Sequence, residues 1–166
     1  MAIKDALLPE YDHEMGATRR LLERVPEADF GWKPHDKSYS LGQLSTHIAN
    51  IPNWLDPTFD YTEFDVATLP DGARPTVPAS RAELLQRFDA TVKKGRAKLD
   101  QQSDATMAAT WTFKNAGYEV FTMPRAAVVR SFIMNHMIHH RGQLTVYLRL
   151  RNVPLPSLYG PTADEG

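Results

Sequence analysis

Three histidines fall within five positions of the stretch NHMIHHRGQL, residues 135–144: His136, His139 and His140. They are half of the six histidines in the chain. An imidazole can bind a metal, act as a catalytic base or simply pack in a core, and spacing helps to separate these roles. On a helix each residue turns about 100° from the one before. His136 and His140, four apart, therefore project from one face, one turn apart, the spacing at which two imidazoles chelate one metal ion. His136 and His139, three apart, have workable spacing as well. The apolar stripe separates the two pairs. Val129, Ile133, His136, His140, Leu144 and Tyr147 run in one line at steps of four or three. His139 falls instead with Val128, Phe132, Asn135 and Val146. His136 and His140 are accordingly read as inward and His139 as a flanking residue.

Two histidines do not complete a ligand set. A structural zinc site takes four protein ligands, and a catalytic one takes three plus water. The natural third ligand is His47, which shares a helix face with Leu44, Ile51 and Trp54. A lone histidine in an apolar stripe is ordinarily a core residue with one good hydrogen bond. Beside an inward His-x-x-x-His pair the metal reading gains weight, because burying three imidazoles together is costly without a shared partner. Both readings of His47 stay open at this point. His13, between Asp12 and Glu14, and His35, after Pro34, are read as solvated or packing histidines. Asp12 and Glu14 are candidates for a carboxylate behind a metal-bound histidine.

Other chemistries lack their residues. The H-E-x-x-H pattern is absent, since position 137 is Met. No G-x-S-x-G elbow or Gly-rich phosphate loop occurs. There is no cysteine, so disulfides, thiolate zinc sites and a cysteine nucleophile are excluded. Trp32, Trp54, Trp111 and Phe113 are read as core or pocket wall.

The elements that must position these residues follow from periodicity. A first helix spans roughly residues 4–25, with Pro9 in or near its first turn. Residues 26–40 form a connector. Ser40 with Gln43 matches a capping box that opens a second helix, which Pro52 should kink or end. Residues 56–79 read as irregular. Ser80 with Glu83 is a second capping box, and the third helix runs from about 81 to 101. The stretch TWTFKNAGYEVFTM (110–123) reads as a β-hairpin or a pair of extended arms. Pro124 then begins the fourth and most apolar helix, which should reach about Asn152. Four amphipathic helices imply an all-α four-helix bundle, and a chain of 166 residues suits one domain over 1–166.

Composition narrows the partners. The formal charge is −1, from 19 basic and 20 acidic residues. That balance argues against a nucleic-acid footprint, which needs a basic face. No apolar stretch of about 18 residues is present, so no membrane span is expected. The N-terminal MAIKDALLPE lacks the apolar core of a signal peptide, and a cytoplasmic location is the expectation.

Three stretches together resemble the DinB-like (DinB/YfiT) superfamily. WKPHDKSYSLGQLSTHIANI (32–51) is similar to its W-x-P…S-x-x-x-L-x-x-H segment, NHMIHHRGQLTVYLRL (135–150) to its closing H-x-x-x-H-R-G-Q-L helix, and LPSLYGPTADE (155–165) to its tail. The resemblance implies an up-down-down-up bundle with a long crossover between helices 2 and 3. It also implies a metal triad of His47, His136 and His140 holding zinc or nickel with water, and pairing into homodimers. Relatives include thiol S-transferases that use a low-molecular-weight thiol as cofactor.

The expectation is therefore a metal-dependent enzyme of thiol S-transferase type acting on a small-molecule substrate, with a metal-dependent hydrolase as an equal fit to the chemistry. Arg141, Tyr147 and Trp32 are further candidates for pocket lining. The competing readings are a binding or stress-response module with a structural metal, and a set of plain core histidines without metal.

Overall fold

Serine hydroxyls start two of the long helices. The computed structural model describes residues 2–166. Ser40 Oγ accepts from the backbone N–H of Gln43 at 3.1 Å, and Gln43 Oε1 accepts from that of Ser40 at 2.8 Å. This reciprocal cap opens α2 (Leu41–Asn50). At α4 (Arg81–Asp100) Ser80 caps Glu83 in the same way, but the Glu83 carboxylate reaches one residue further back, to Ala79 N–H at 2.8 Å.

The first helix, α1 (Ile3–Leu22), begins close to the expected position, but Pro9 lies inside it rather than in its first turn. Pro52 does break the second helix. The chain tightens into a 3-10 turn over Ile51–Trp54 and resumes as α3 (Leu55–Asp60). Residues 56–79, expected to be irregular, thus contain most of α3 and also a strand, β1 (Glu63–Asp65). A further short helix, α5 (Asp104–Ala108), follows α4.

The expected hairpin is present as β2 (Thr110–Asn115) and β3 (Tyr118–Pro124), paired antiparallel. Its turn puts Ala116 at φ 52° and Gly117 at φ 80°, the left-handed pair that matches strand twist. Alanine is unfavourable there. Asp65 supplies the compensation: its carboxylate accepts from the N–H of Ala116 at 3.0 Å and of Gly117 at 2.6 Å. The same segment pairs β1 parallel to β2, with Phe64 opposite Phe113. The all-α expectation is therefore corrected to a mostly helical fold carrying a three-stranded sheet in the order β1-β2-β3.

Pro124 ends β3 instead of starting a helix, and α6 (Arg125–Ala127) follows it. The last helix is not uniform. A π-helical stretch, Val128–Met134, joins α6 to α7 (Asn135–Leu150). In that wider turn residues five apart come into line. Val128 with Ile133 and Val129 with Met134 are all buried as a result.

Helices α1, α2, α4 and α7 form a ring of contacts: α1 with α4, α4 with α2, α2 with α7, and α7 with α1. Tyr11, Leu21, Leu44, Ile48, Phe88, Leu144 and Leu148 fill the space between them. Gly95 permits the close approach on one side, since a Cβ there would lie 2.6 Å from Tyr11 Oη and 2.9 Å from Leu55 Cδ1. Among the described residues no helix is long and apolar enough to cross a membrane.

Candidate metal centre

Where α2 meets α7, three imidazoles converge. The Nε2 atoms of His47 and His136 are 3.0 Å apart, and those of His136 and His140 are 2.9 Å apart. Helix phase produces this from the sequence. His136 and His140 stack one turn apart on α7, and His47 reaches them from the facing side of α2. All three are half-buried, and His139 is exposed.

Aromatic rings wall the cluster from behind. Trp54 lies edge-on to His136 at 4.8 Å and to His47 at 5.7 Å, and stacks on Phe132 at 5.3 Å. Phe132 in turn meets Phe113 of β2 and Phe121 of β3. The sheet thus buttresses the histidine-bearing part of the last helix. On the other flank, His140 Nδ1 lies 2.7 Å from Gln143 Oε1. An amide oxygen only accepts, so Nδ1 carries the proton and Nε2 presents its lone pair. Gln143 was not singled out from the sequence. Its signal was available, as it follows His140 by three on one helix face.

Burial, reinforced by the neighbouring histidines, lowers the pKa of both His47 and His136 to about 4. Burial also lowers that of His140, against the hydrogen bond to Gln143, which raises it. The three are therefore neutral at neutral pH and free to act as ligands. The sign for stability follows. An unfolded chain protonates His47 and His136 near pH 6.5, whereas in the native state both resist until about pH 4. Between those values the unfolded state binds more protons, so stability falls on acidification. Metal-free protein should have a constant melting temperature just above pH 6.5 and lose stability progressively from there towards pH 4. A His47→Gln/His136→Gln variant should show a flatter profile over that window. An equally steep profile in the variant would contradict the assignment.

The donor set fits a cation. With Nδ1 of His140 protonated, its Nε2 needs a donor. His136 Nε2 has one position for a hydrogen or a lone pair, yet has close contacts to two nitrogens. One hydrogen cannot serve both contacts well, whereas a single cation accepts three lone pairs at once. Nitrogens bound to one ion at about 2.0–2.1 Å lie roughly 2.8–3.4 Å apart for octahedral to tetrahedral angles, and both short separations fall in that range. Among the described residues these three histidines form the cluster of potential ligand side chains whose donor atoms lie within 4.8 Å of one another. Among the described residues no fourth His, Asp or Glu joins them.

His47 also lines a cavity of about 440 Å3, bounded on one side by Trp54 and on the other by residues of the 66–77 connector. A smaller cavity of about 270 Å3 adjoins it past Thr46 and Asn50 but touches none of the three histidines.

The remaining sequence candidates lie elsewhere. Arg141 points away from the triad and is buried against α1. It pairs with Glu14 Oε2 at 2.6 Å and donates to Glu14 O, Thr18 Oγ1 and the Tyr159 hydroxyl. Trp32 and Tyr147 pack edge to face at 5.9 Å beneath Arg151. None of these three lines the cavity at His47, because one residue of helical rotation separates Arg141 from His140. Asp12 pairs with Arg96, so neither it nor Glu14 stands behind a triad histidine. His13 is exposed beside Tyr159, and exposed His35 accepts from Lys37 N–H.

Residues 3–166 match the model of the DinB family. The chain belongs to the DinB family. Among curated proteins, this DinB chain is similar to YrdA, an uncharacterized protein of Bacillus subtilis, at 26% identity over 166 residues, covering 97% of this chain and 90% of the relative. Two solved structures share its fold. A DinB-like protein of Bacillus cereus aligns with a TM-score of 0.72 at 18% identity, covering 93% of this chain and 97% of the other. The DinB-like protein YjoA of B. subtilis aligns at 0.68 and 19% identity, covering 95% and 99%. Those identities speak to the DinB fold alone.

Proposed function

We propose that this DinB protein is a divalent-metal-dependent enzyme whose ion, zinc or nickel, is held by His47, His136 and His140. The observation that carries this reading is the convergence of three neutral Nε2 donors at the side of an open cavity. A structural zinc site is closed by four protein ligands, and a catalytic one keeps a position free. When bound, the ion would lower the pKa of a water or a thiol and so supply a nucleophile near neutral pH.

The chain's own residues do the rest. Gln143 holds the Nδ1 proton of His140 and thereby fixes that ring's orientation and tautomer. Trp54 and Phe132 exclude water from behind His136. The cavity admits a small molecule to the His47 side. A thiol S-transferase is the first reaction class, as the resemblance to the family implies. A metal-dependent hydrolase is the second, because the same ligand set activates water. The wider reading is a single-domain, cytoplasmic homodimer. The ring of four long helices supports a four-helix bundle in up-down-down-up order, with residues 51–80 as the crossover.

Zinc- and nickel-loaded protein assayed with low-molecular-weight thiols plus electrophiles, and separately with esters, should show turnover that chelation abolishes. Metal-replete protein without turnover in either panel, but with a melting temperature that chelation lowers strongly, would instead support a structural metal in a binding module.

A further inference from the structure

The cavity beside His47 has an uneven polar lining. Among the described residues Arg74 brings the one guanidinium or ammonium group to it, and no aspartate or glutamate lines it. The arginine of the adjoining cavity, Arg87, is occupied by Glu83 and by the carbonyl of Thr76. Arg74 is exposed and has no ion-pair or hydrogen-bond partner among the described residues.

The neutral polar groups have the same bias. Gln43 Oε1 already accepts from Ser40 N–H at 2.8 Å, and Asn50 Oδ1 accepts from Asn53 Nδ2 at 2.9 Å. Each keeps its amide NH2 for a ligand. The Thr46 hydroxyl is committed to the Gly42 carbonyl at 2.7 Å. The Tyr39 hydroxyl remains, on a ring 6.0 Å from that of His47. The cavity therefore offers donors and one fixed positive charge. Its remaining wall is apolar: Trp54, Val66, Leu69, Pro75 and Val77.

From this lining we infer that the cavity binds a small carboxylate with an apolar body. Arg74 holds the carboxylate, and the apolar wall covers the rest beside His47. The inference rests on the triad as the reacting centre and names the substrate class that centre receives. Guanidinium and carboxylate match as a planar two-point pair, and a charge-assisted bond is about twice as strong as a neutral one. Repulsion is absent, since no acidic side chain lines the cavity.

Phenylacetate and its uncharged isostere phenylacetamide test the assignment by calorimetric titration, on metal-free and on zinc-loaded protein. Both forms of the wild type should bind the acid about tenfold or more tightly than the amide. Arg74→Gln should remove that preference while leaving amide binding and melting temperature unchanged, and Arg74→Lys should keep part of it. Equal binding of acid and amide by the wild type, binding of neither at millimolar concentration, or a preference that survives in Arg74→Gln would overturn the assignment. The metal-free arm keeps the two readings apart. Acid preference without zinc retention sinks the metal centre alone, and zinc retention without acid preference sinks the carboxylate site alone.

Discussion

Purified His136→Ala protein should retain no stoichiometric divalent metal after dialysis, whereas the wild type should retain one ion per chain. His136 is the central donor, since its Nε2 is the atom within 3.0 Å of both others. Removing it leaves one imidazole on α2 and one on α7, with no third nitrogen to complete even an open catalytic set. His47→Ala and His140→Ala should follow it. His139→Ala should not, because that exposed ring lies outside the cluster. Gln143→Ala should fall between, weakening affinity by about 10–100-fold, as expected for loss of the group that orients a metal-bound imidazole. Elemental analysis with competitive chelator titration reads all five variants. Metal retained in His136→Ala, or lost equally in His139→Ala, would refute the triad. A metal that binds the native state alone also raises the melting temperature by mass action, so wild type and His136→Ala should differ in their response to added zinc.

Arg141→Ala is expected to be the most destabilising of these substitutions without touching the metal. Arg141 and Glu14 have side chains 2% and 7% exposed and lie 2.6 Å apart. The guanidinium also bonds the Glu14 carbonyl, Thr18 and Tyr159, joining α7 to α1 and to the C-terminal tail. Truncating it leaves a buried carboxylate without its counter-charge, with the Tyr159 hydroxyl still donating to it at 2.7 Å, which costs about 3–5 kcal/mol, or roughly 6–20 °C of melting temperature for a domain of this size. The paired replacement Arg141→Met/Glu14→Leu removes both charges and should recover most of the loss. Zinc content of folded Arg141→Ala should match the wild type, since the bonds that Arg141 makes are to α1 and the tail. A single substitution costing under about 1 kcal/mol would place the pair among weak surface bridges.

Much of this architecture was legible from local signals. Ser40 with Gln43, Ser80 with Glu83 and the step of four from His136 to His140 are short-range rules. Each depends on backbone geometry within one or two turns and needs no knowledge of the rest of the fold. The apolar stripe also read His139 as a flanking residue, and that residue is exposed. The errors had longer range. The π-helical stretch places Phe132 between Trp54 and the sheet, and α-helical phase cannot foresee it. Strand β1 has three residues and its partner lies some fifty positions away, so period-two patterning had too little length to register. Arg141 was misplaced as pocket lining because an arginine beside a ligand histidine looks functional. The carboxylate that neutralises it, Glu14, is more than a hundred residues earlier.

By itself the sequence determined the two serine-capped helix starts, the hairpin, the absence of cysteine chemistry and the facing of His136 and His140. Those properties are set by dihedral preferences and by the repeat of one helix. Only the tertiary structure decided that His47 meets the pair, that Gln143 holds the His140 proton, that Asp65 braces the strained turn, and that Arg74 faces the cavity beside His47 without an acidic neighbour. Each of these is a relation between surfaces or loops, fixed by how α2, α7 and the connecting segments pack, and packing is a property of the whole chain rather than of any window along it.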